Sequence, residues 1–455
     1  MSSPFPSAAL LVSGLVLFTP GASALCQDWP QFRGPGASGV RDGAPLPIEF
    51  DEPTWRTEVP GLSHASPVIA DGRVFIATAI PKGKEASLKV GLYGDGDSAD
   101  DLVETQFRLL ALDEETGKIL WDVLADEAIP PFGRHTKATQ ANSTPAVSGN
   151  LVVALFGSSG LFCFDTKSGE KRWHVDLGPL DCGPWNVTDL EWGFASSPIV
   201  VDGLVVVQAD VKTKPFLAAF DLETGEEKWR VARDDVNTWS TPTAVRLESG
   251  EVQILVNGCK HMGAYRLKDG SEVWRMAGGG GIPVPTPVAG NGLVYLTSNH
   301  QPLEVSHPQK PVYAVKLTAQ GDLGIPGPRR EEGVGEQLAW MTTRRGNYMQ
   351  TPLLYDGLLW LCYDSGIVTC NDAATGEEFF RERIQDGREG FTASPVAGDG
   401  LIYLTSEQGK IVVLGAQPEL DVVARADLEE VCMATPAIVE GGLIFRLQGA
   451  VARYD

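Results

Sequence analysis

A repeated unit most strongly constrains what this chain can fold into. Its clearest copy covers residues 196–229: a Ser-Ser-Pro opener at Pro198, an Asp-Gly turn at Gly203, a Thr-Gly turn at Gly225 and a terminal Trp229. Apolar, β-branched runs joined by Asp-Gly are typical of β-hairpins, and Glu-Thr-Gly marks a further turn. One copy therefore predicts four short antiparallel strands.

Eight such openers occur along the 455 residues, and each contains a proline. These prolines are Pro67, Pro145, Pro198, Pro242, Pro287, Pro352, Pro395 and Pro436. Where insertions are absent the spacing is about 41 to 45 residues, which suits one four-stranded propeller blade. Proline cannot donate to a sheet ladder, so it fits the start of an innermost strand that borders a central channel.

The two ends of the chain supply parts of the same blade. The eighth copy ends with the chain after three strands, whereas the stretch from Trp55 to Pro60 resembles the end of a repeat that has no beginning. The sequence therefore predicts an all-β fold: a closed eight-bladed β-propeller of four-stranded antiparallel blades over residues 55–455. Closure by a shared blade leaves only short, protected edges.

Residues 1–24 have the features of an export signal. An apolar run from residue 8 to residue 19 precedes a small-residue triplet, which predicts cleavage after Ala24. An uncleaved membrane anchor is an alternative, although the run is short for a span, and lipid modification of Cys26 is another. We expect residues 25–54 to form an extended arm on the propeller. The exported protein would be periplasmic or extracellular, with no membrane span after cleavage.

Composition excludes several classes of function. The formal net charge of −22 disfavours binding to nucleic acid or anionic membrane surfaces. The seven cysteines form no Cys-x-x-Cys pattern, and the six histidines are scattered, so no metal site is predicted. Cys362 and Cys370 flank a predicted hairpin and would face each other only across a loop of odd length; buried free thiols are the alternative.

One insertion in the first repeat is rich in carboxylates. Asp95, Asp97, Asp100 and Asp101 could hold calcium, but their spacing lacks the glycine and the distal glutamate of an EF-hand loop. A solvated loop is the favoured interpretation.

The loops that lead into the innermost strands converge on one end of the channel, which is the usual place for a propeller ligand. The candidate ligand-binding residues are His64, Gln140, Asn142, Trp192, Phe194, Asn237, Trp239, Arg344, Arg345, Asn347, Tyr348, Arg388, Glu389, Glu429, Glu430 and Cys432. Trp192 and Trp239 lie off the recurrent Trp position and could stack on a planar or sugar-like ligand. The three arginines could pair with ligand carboxylates or, alternatively, with the three glutamates of the set. Channel lining without a specific ligand is a further alternative for the whole set.

The opener, the Asp-Gly turn, the Ala-x-Asp-x-x-Thr-Gly turn and the terminal Trp resemble the repeats of the pyrroloquinoline-quinone-like (PQQ-like) β-propeller superfamily. Residues 29–35 (Trp-Pro-Gln-Phe-Arg-Gly-Pro) and 391–395 (Phe-Thr-Ala-Ser-Pro) are similar to those of an exported bacterial branch of largely unknown function. The superfamily includes quinoprotein alcohol and glucose dehydrogenases and a non-enzymatic propeller subunit of the outer-membrane β-barrel assembly machine. Many of those alcohol dehydrogenases place an adjacent Cys-Cys disulfide over the cofactor. This chain lacks that pair, and no position matches their calcium ligands or base by motif.

The resemblance and the residues together favour an exported, non-catalytic module for binding or scaffolding that acts through its channel mouth or rim, with no cofactor. Its partner would be a protein or a small carbohydrate or carboxylate-bearing ligand. The alternative is a PQQ-dependent dehydrogenase that oxidises alcohols or sugars with calcium beside the quinone. The sequence identifies no catalytic residue for either function.

Overall fold

The prediction of a closed eight-bladed β-propeller is confirmed. The computed structural model describes residues 28–83, 87–92, 96–299, 309–324, 335–385, 387 and 389–455. These residues form eight sheets in chain order, antiparallel except for one short parallel pairing in the fourth sheet. Their helical segments are two single 3-10 turns, Pro35–Ala37 and Gly157–Ser159. The predicted export signal, Cys26, Asp95 and Arg388 lie outside the described residues.

The first strand, β1 (Trp55–Glu58), belongs to the last blade. Blades one and two contain β2 (Val68–Ala70), β3 (Arg73–Pro81), β4 (Thr105–Asp113), β5 (Ile119–Ala128), β6 (Ala146–Ser148), β7 (Leu151–Leu155), β8 (Leu161–Asp165) and β9 (Lys171–Val175). Blades three and four contain β10 (Ile199–Val201), β11 (Leu204–Ala209), β12 (Phe216–Asp221), β13 (Glu227–Ala232), β14 (Thr243–Arg246), β15 (Val252–Val256), β16 (Met262–Arg266) and β17 (Glu272–Met276).

Blade five contains β18 (Val288–Gly290), β19 (Leu293–Thr297), β20 (Val312–Lys316) and β22 (Leu338–Thr342), while the short β21 (Gly321–Asp322) pairs in parallel with β17 of blade four. Blades six and seven contain β23 (Leu353–Tyr355), β24 (Leu358–Cys362), β25 (Ile367–Asp372), β26 (Glu378–Arg383), β27 (Val396–Gly398), β28 (Leu401–Thr405), β29 (Lys410–Gly415) and β30 (Val422–Asp427). Blade eight contains β31 (Ala437–Val439), β32 (Gly442–Arg446) and β33 (Ala450–Tyr454), with β1 as its outermost strand.

The ring closes where the sequence predicts. Strand β1 pairs antiparallel with β33, with Trp55 opposite Arg453 and Glu58 opposite Ala450. Trp55 also reaches the first blade, because its indole Nε1 donates to the carbonyl oxygen of Glu114 at 2.9 Å. One strand therefore completes the last blade and joins it to the first.

The recurrent tryptophans connect neighbouring blades. Trp173, at the end of blade two, donates from Nε1 to the carbonyl oxygen of Leu222 in blade three at 2.9 Å. Its ring covers Gly225, where a Cβ atom would lie 2.9 Å from the indole. The same arrangement joins Trp55 to Gly117, Trp121 to Gly169, Trp229 to Gly270 and Trp340 to Gly376. The glycine of this turn, which follows Thr, Ser or Asp, thus contacts the tryptophan of the preceding blade in each of these repeats.

The cysteines of the described residues are buried free thiols. Cys370 lies opposite Trp360 and Cys362 lies opposite Val368, so the two cysteines are not a cross-strand pair. The register therefore favours the alternative of buried thiols over a disulfide in this hairpin.

Residues 28–54 cross one end of the channel. Trp29 pairs with Ile69 of the first blade, and Val40 pairs with Ala397 of the seventh. The fully buried Arg33 donates to the carbonyl oxygens of Pro352 and Pro395, in blades six and seven. Ile69 and Ala397 lie on the inner strands beyond their openers, so this pairing places the segment towards the end opposite the converging loops.

Candidate functional site

A cavity of about 610 Å³ occupies the end of the channel where the loops before the inner strands converge. Its lining combines aromatic side chains, opener hydroxyls and a small number of charged groups. Phe32 from the N-terminal segment also lines it. A volume of this size is typical of a site for a small ligand.

Two of the predicted tryptophans lie side by side in the cavity wall. The ring centroids of Trp192 and Trp239 are 5.8 Å apart, and the rings are tilted by 39°. Trp192 Nε1 donates to the carbonyl oxygen of Gly96 at 2.6 Å, and Trp239 Nε1 donates to that of Gly193 at 2.8 Å. Both indoles are held in place by the backbone, so their faces are preorganised for stacking.

The opener hydroxyls form a belt around the cavity, a role that the sequence analysis missed. In six cases the backbone N–H of one opener donates to the hydroxyl oxygen of the next opener. These bonds run from Ser66 to Thr144, Thr144 to Ser197, Ser197 to Thr241, Thr286 to Thr351, Thr351 to Ser394 and Ser394 to Thr435, at 2.9–3.1 Å. The recurrent Ser or Thr before each proline was the signal that could have revealed the belt.

A buried ion pair fastens the loops at the mouth. Lys137 Nζ lies 2.8 Å from both carboxylate oxygens of Glu407, and the two side chains are 6% and 0% exposed. Glu407 also accepts hydrogen bonds from the backbone N–H of Gly91 at 2.7 Å and from the hydroxyl of Thr392 at 2.5 Å. The pair therefore ties the first-blade insertion and the loop after blade one to blade seven.

His64 lines the cavity next to this pair. Its Nε2 lies 2.8 Å from the carbonyl oxygen of Lys137. Burial lowers the pKa of His64 to about 4, and the charge of Arg134 lowers it further, against the opposing effect of that backbone hydrogen bond. His64 is therefore neutral at pH 7 and acts here as a hydrogen-bonding group.

The side of the cavity formed by blades five and six carries charges that the sequence analysis did not identify. Lys310 precedes β20 and Asp364 follows β24, and both line the cavity. Within the described part of the chain, neither side chain has a hydrogen bond or an ion pair. Burial, with a smaller contribution from Asp364, raises the pKa of the neighbouring Tyr348 to about 12. Both charged residues lie between the second and third strands of a blade, whereas the sequence-based candidates lie in the loops before the innermost strands.

Most of the other predicted residues lie away from the cavity. Gln140 lines a separate crevice and donates to the carbonyl oxygen of Phe132 at 3.2 Å. The buried Asn237 and Asn347 donate to backbone carbonyl oxygens of Gly183 and Gln350. Asn142 does line the cavity, with its amide held by Thr139 and by the carbonyl oxygen of Phe194. Phe194 and Cys432 are buried in the core.

The alternative pairing of arginines with glutamates at the mouth is wrong for the described residues. Arg344 is exposed, and the exposed Arg345 pairs with Glu378 at 2.6 Å. Glu389 pairs with Lys410, Glu430 pairs with Arg56 at 2.9 Å, and Glu429 is exposed. Arg344 and Arg345 follow strand β22 and do not line the cavity, although they are close in sequence to the sixth opener.

The described residues offer neither a clustered metal site nor a membrane-spanning helix. They contain no group of three or more His, Cys, Asp or Glu side chains positioned to hold a metal ion. No helix in this part of the chain has the length and apolar character needed to cross a bilayer.

Comparisons with known proteins agree with the fold. The PQQ_2 family model, described as "Outer membrane protein assembly factor BamB", matches residues 40–182 and 109–382. BamB from Moraxella catarrhalis is 15% identical with a TM-score of 0.53, over 83% of this chain and 97% of its own. A europium-containing methanol dehydrogenase is 11% identical with a TM-score of 0.63, over 93% and 90%.

Quinohemoprotein alcohol dehydrogenase from Comamonas testosteroni is 12% identical with a TM-score of 0.61, over 94% of this chain and 80% of its own. At these identities the likenesses show a shared fold. No curated protein matches the chain.

Proposed function

This chain belongs to the PQQ_2 family, described as outer membrane protein assembly factor BamB, and on that premise we propose that it is an exported, non-catalytic binding module. Its contact surface is the channel mouth, with the rim as a further surface for a protein partner. The preformed cavity of about 610 Å³, walled by Trp192 and Trp239, is the observation that carries this proposal.

The state of the polar groups in the cavity supports binding over chemistry. Lys137 is engaged by Glu407, His64 contacts a backbone carbonyl oxygen, and both indole N–H groups are bonded to the backbone. Groups held in this way present a fixed surface, which lowers the entropic cost of binding a ligand. A general acid or base would instead need a pKa near the working pH, whereas the pKa of His64 is about 4.

Exposed apolar side chains around the mouth support a protein as the second kind of partner. Val90 and Leu92 in the first insertion, Ile129 after β5, and Trp185 and Val187 after β9 are all exposed. Aromatic and aliphatic side chains of this kind are enriched in the cores of protein interfaces. The family description, which names an assembly factor, agrees with such a role.

A PQQ-dependent dehydrogenase that uses calcium is the second candidate. The likeness to a methanol dehydrogenase over 93% of the chain and the aromatic cavity wall favour it. Calcium requires six to eight oxygen ligands. Among the described residues that line the cavity, Asp364 is the one carboxylate, and it has no protein partner. The nearby carboxylate of Glu407 is paired with Lys137. These residues do not fit the calcium site of such an enzyme, so no catalytic step is derived for it.

The two candidates are separated by reconstitution of the exported protein with PQQ and calcium. We expect no cofactor absorbance to remain with the protein after gel filtration, and no dye-linked oxidation of alcohols or sugars. A stable complex that carries the absorbance of the cofactor and oxidises either substrate would reject the non-catalytic proposal.

A further inference from the structure

Exposed cations form a basic patch where blades five and six meet at the mouth. The patch consists of Lys310, Arg344, Arg345, Arg381 and Arg383. Lys310 borders the cavity, whereas Arg381 and Arg383 lie on β26, the outermost strand of blade six. We propose that this basic patch binds an acidic segment of a partner protein. The inference rests on the proposed function, because it names the chemistry of the protein that the rim would contact.

Short contacts join the cations of the two blades. Lys310 and Arg344 lie opposite each other in a β-bridge, and the backbone N–H of Arg345 donates to the carbonyl oxygen of Lys310 at 2.9 Å. Arg345 Nη1 lies 2.6 Å from the carboxylate of Glu378 in blade six, and Arg381 Nη1 lies 3.9 Å from the same carboxylate. The cations therefore form one continuous surface across the boundary between the blades.

The end of β26 contributes the outer part of the patch. Arg381 and Arg383 are two residues apart on this strand, so their side chains share a face, while Glu382 points to the opposite face. The guanidinium of Arg381 lies 4.6 Å from the ring centroid of Tyr363, and Arg383 Nη1 donates to the carbonyl oxygen of Ser365 at 2.5 Å. Both arginines are thus held beside the loop that follows β24.

The patch carries positive charge that its surroundings do not neutralise. Lys310, Arg344 and Arg383 form no ion pair with any described residue. The other two cations share the single carboxylate of Glu378. Asp364 lines the cavity nearby and forms no ion pair with any of them. In a protein whose net charge is −22, a local excess of cations is a preferred site for an anionic partner.

The chemistry of the patch favours carboxylates carried by a protein. A guanidinium group matches a carboxylate through two parallel hydrogen bonds. Phe379, which is 43% exposed, lies two residues before Arg381, and aromatic residues and arginine are enriched in protein interfaces.

The size of the patch disfavours extended polyanions. A nucleic acid or an anionic bilayer would reach beyond the patch and meet the negative charge of the rest of the protein. A short acidic segment mainly experiences the charges within the Debye length, about 8 Å at physiological ionic strength.

Fluorescence anisotropy with fluorescein-labelled octaglutamate tests the proposal on the exported protein, with labelled octaglutamine as the uncharged comparison. We expect octaglutamate to bind at least about tenfold more tightly than octaglutamine, and its binding to weaken as the salt concentration rises. The double variant Arg344→Glu with Arg383→Glu places like charges opposite the probe and should weaken octaglutamate binding about tenfold or more.

Lys118→Glu with Lys268→Glu is the matched control. It changes the net charge by the same amount at two exposed lysines that lie between the third and fourth strands of blades one and four. It should alter octaglutamate binding by less than about twofold, because charges beyond the Debye length are screened.

The proposal is overturned if octaglutamate does not bind, if octaglutamine binds equally well, or if the control variant loses as much affinity as the patch variant. It is also overturned if a single-stranded DNA oligonucleotide or phosphatidylglycerol vesicles bind the patch more tightly than octaglutamate does. Those outcomes leave the non-catalytic function standing, since oxidation by the PQQ-loaded protein is what would reject that.

Discussion

At the scale of a single residue, His64 makes the stability of the protein depend on pH. Burial lowers its folded-state pKa to about 4, whereas a histidine in an unfolded chain titrates near 6.5. Between these values the unfolded state binds more protons, so His64 contributes stability that is fully present above about pH 6.5 and is lost as the pH falls towards 4. The loss is at most about 3 kcal/mol, because each pKa unit corresponds to about 1.4 kcal/mol and His64 is only half-buried.

We therefore expect His64→Asn to flatten the decline in stability between pH 6.5 and 4.5. Urea denaturation of both proteins at each pH measures the difference, and every other titrating group is common to the two. Parallel stability curves for the variant and the unaltered protein would contradict the assigned pKa.

The ion pair at the mouth predicts a large cost for removing one partner. Lys137→Met leaves the carboxylate of Glu407 buried without a counter-charge, and such losses cost about 3 to 5 kcal/mol. Lys82→Met is the matched control, because Lys82 pairs with Glu104 and Glu127 at an exposed site. Equal denaturation midpoints for the two variants would show that the pair at the mouth does not stabilise the fold.

At the scale of the repeat element, the Thr-Gly turn is constrained by the neighbouring blade as well as by its own backbone. Gly203 and Gly225 lie in the same blade with φ of 75° and 73°. A Cβ atom at Gly203 would meet open space, whereas one at Gly225 would lie 2.9 Å from the ring of Trp173. A left-handed backbone conformation alone costs a non-glycine residue about 1 to 2 kcal/mol.

Gly225→Ala should therefore destabilise the protein more than Gly203→Ala does, by about 1 kcal/mol or more, because the tryptophan must also move. Guanidinium denaturation of the two variants gives the comparison. If both lose the same stability, the contact between blades contributes nothing beyond the turn itself.

The strands and turns could be predicted from the sequence where nearby turn residues determine the backbone conformation. Asp-Gly and Thr-Gly turns mark the hairpins because they tolerate positive φ, and the structure places Asp202, Asp356 and Asp399 in that region. The function of the opener hydroxyl was missed, since the bond from Thr144 to Ser197 joins different blades. A single repeat explains why its opener contains a proline, but it does not reveal the hydrogen bond between its opener and the opener of the next blade.

At the scale of the whole molecule, the fold could be predicted from the repeat spacing, but much of the cavity could not. Arg345 turns outward to Glu378, and Glu389 is held by Lys410. Lys310 and Asp364 enter the channel from loops that the opener spacing does not mark. Sequence distance to an opener indicates which loops approach the mouth, whereas packing between blades decides which side chains face inward.

The shared eighth blade underlies everything inferred about the channel, and deletion of residues 50–60 tests it most directly. The deletion removes β1 together with the buried Trp55 and Val59, and leaves β33 as an open edge. Calorimetry should show the melting temperature of the whole protein falling by about 5 °C or more. In a chain of this size each kcal/mol of lost stability lowers the melting temperature by no more than about 2 to 4 °C, so such a fall corresponds to a loss of more than about 1 kcal/mol. A synthetic peptide of residues 50–60 should restore it in a concentration-dependent manner. A truncated protein that melts like the intact one would show that β1 does not close the ring.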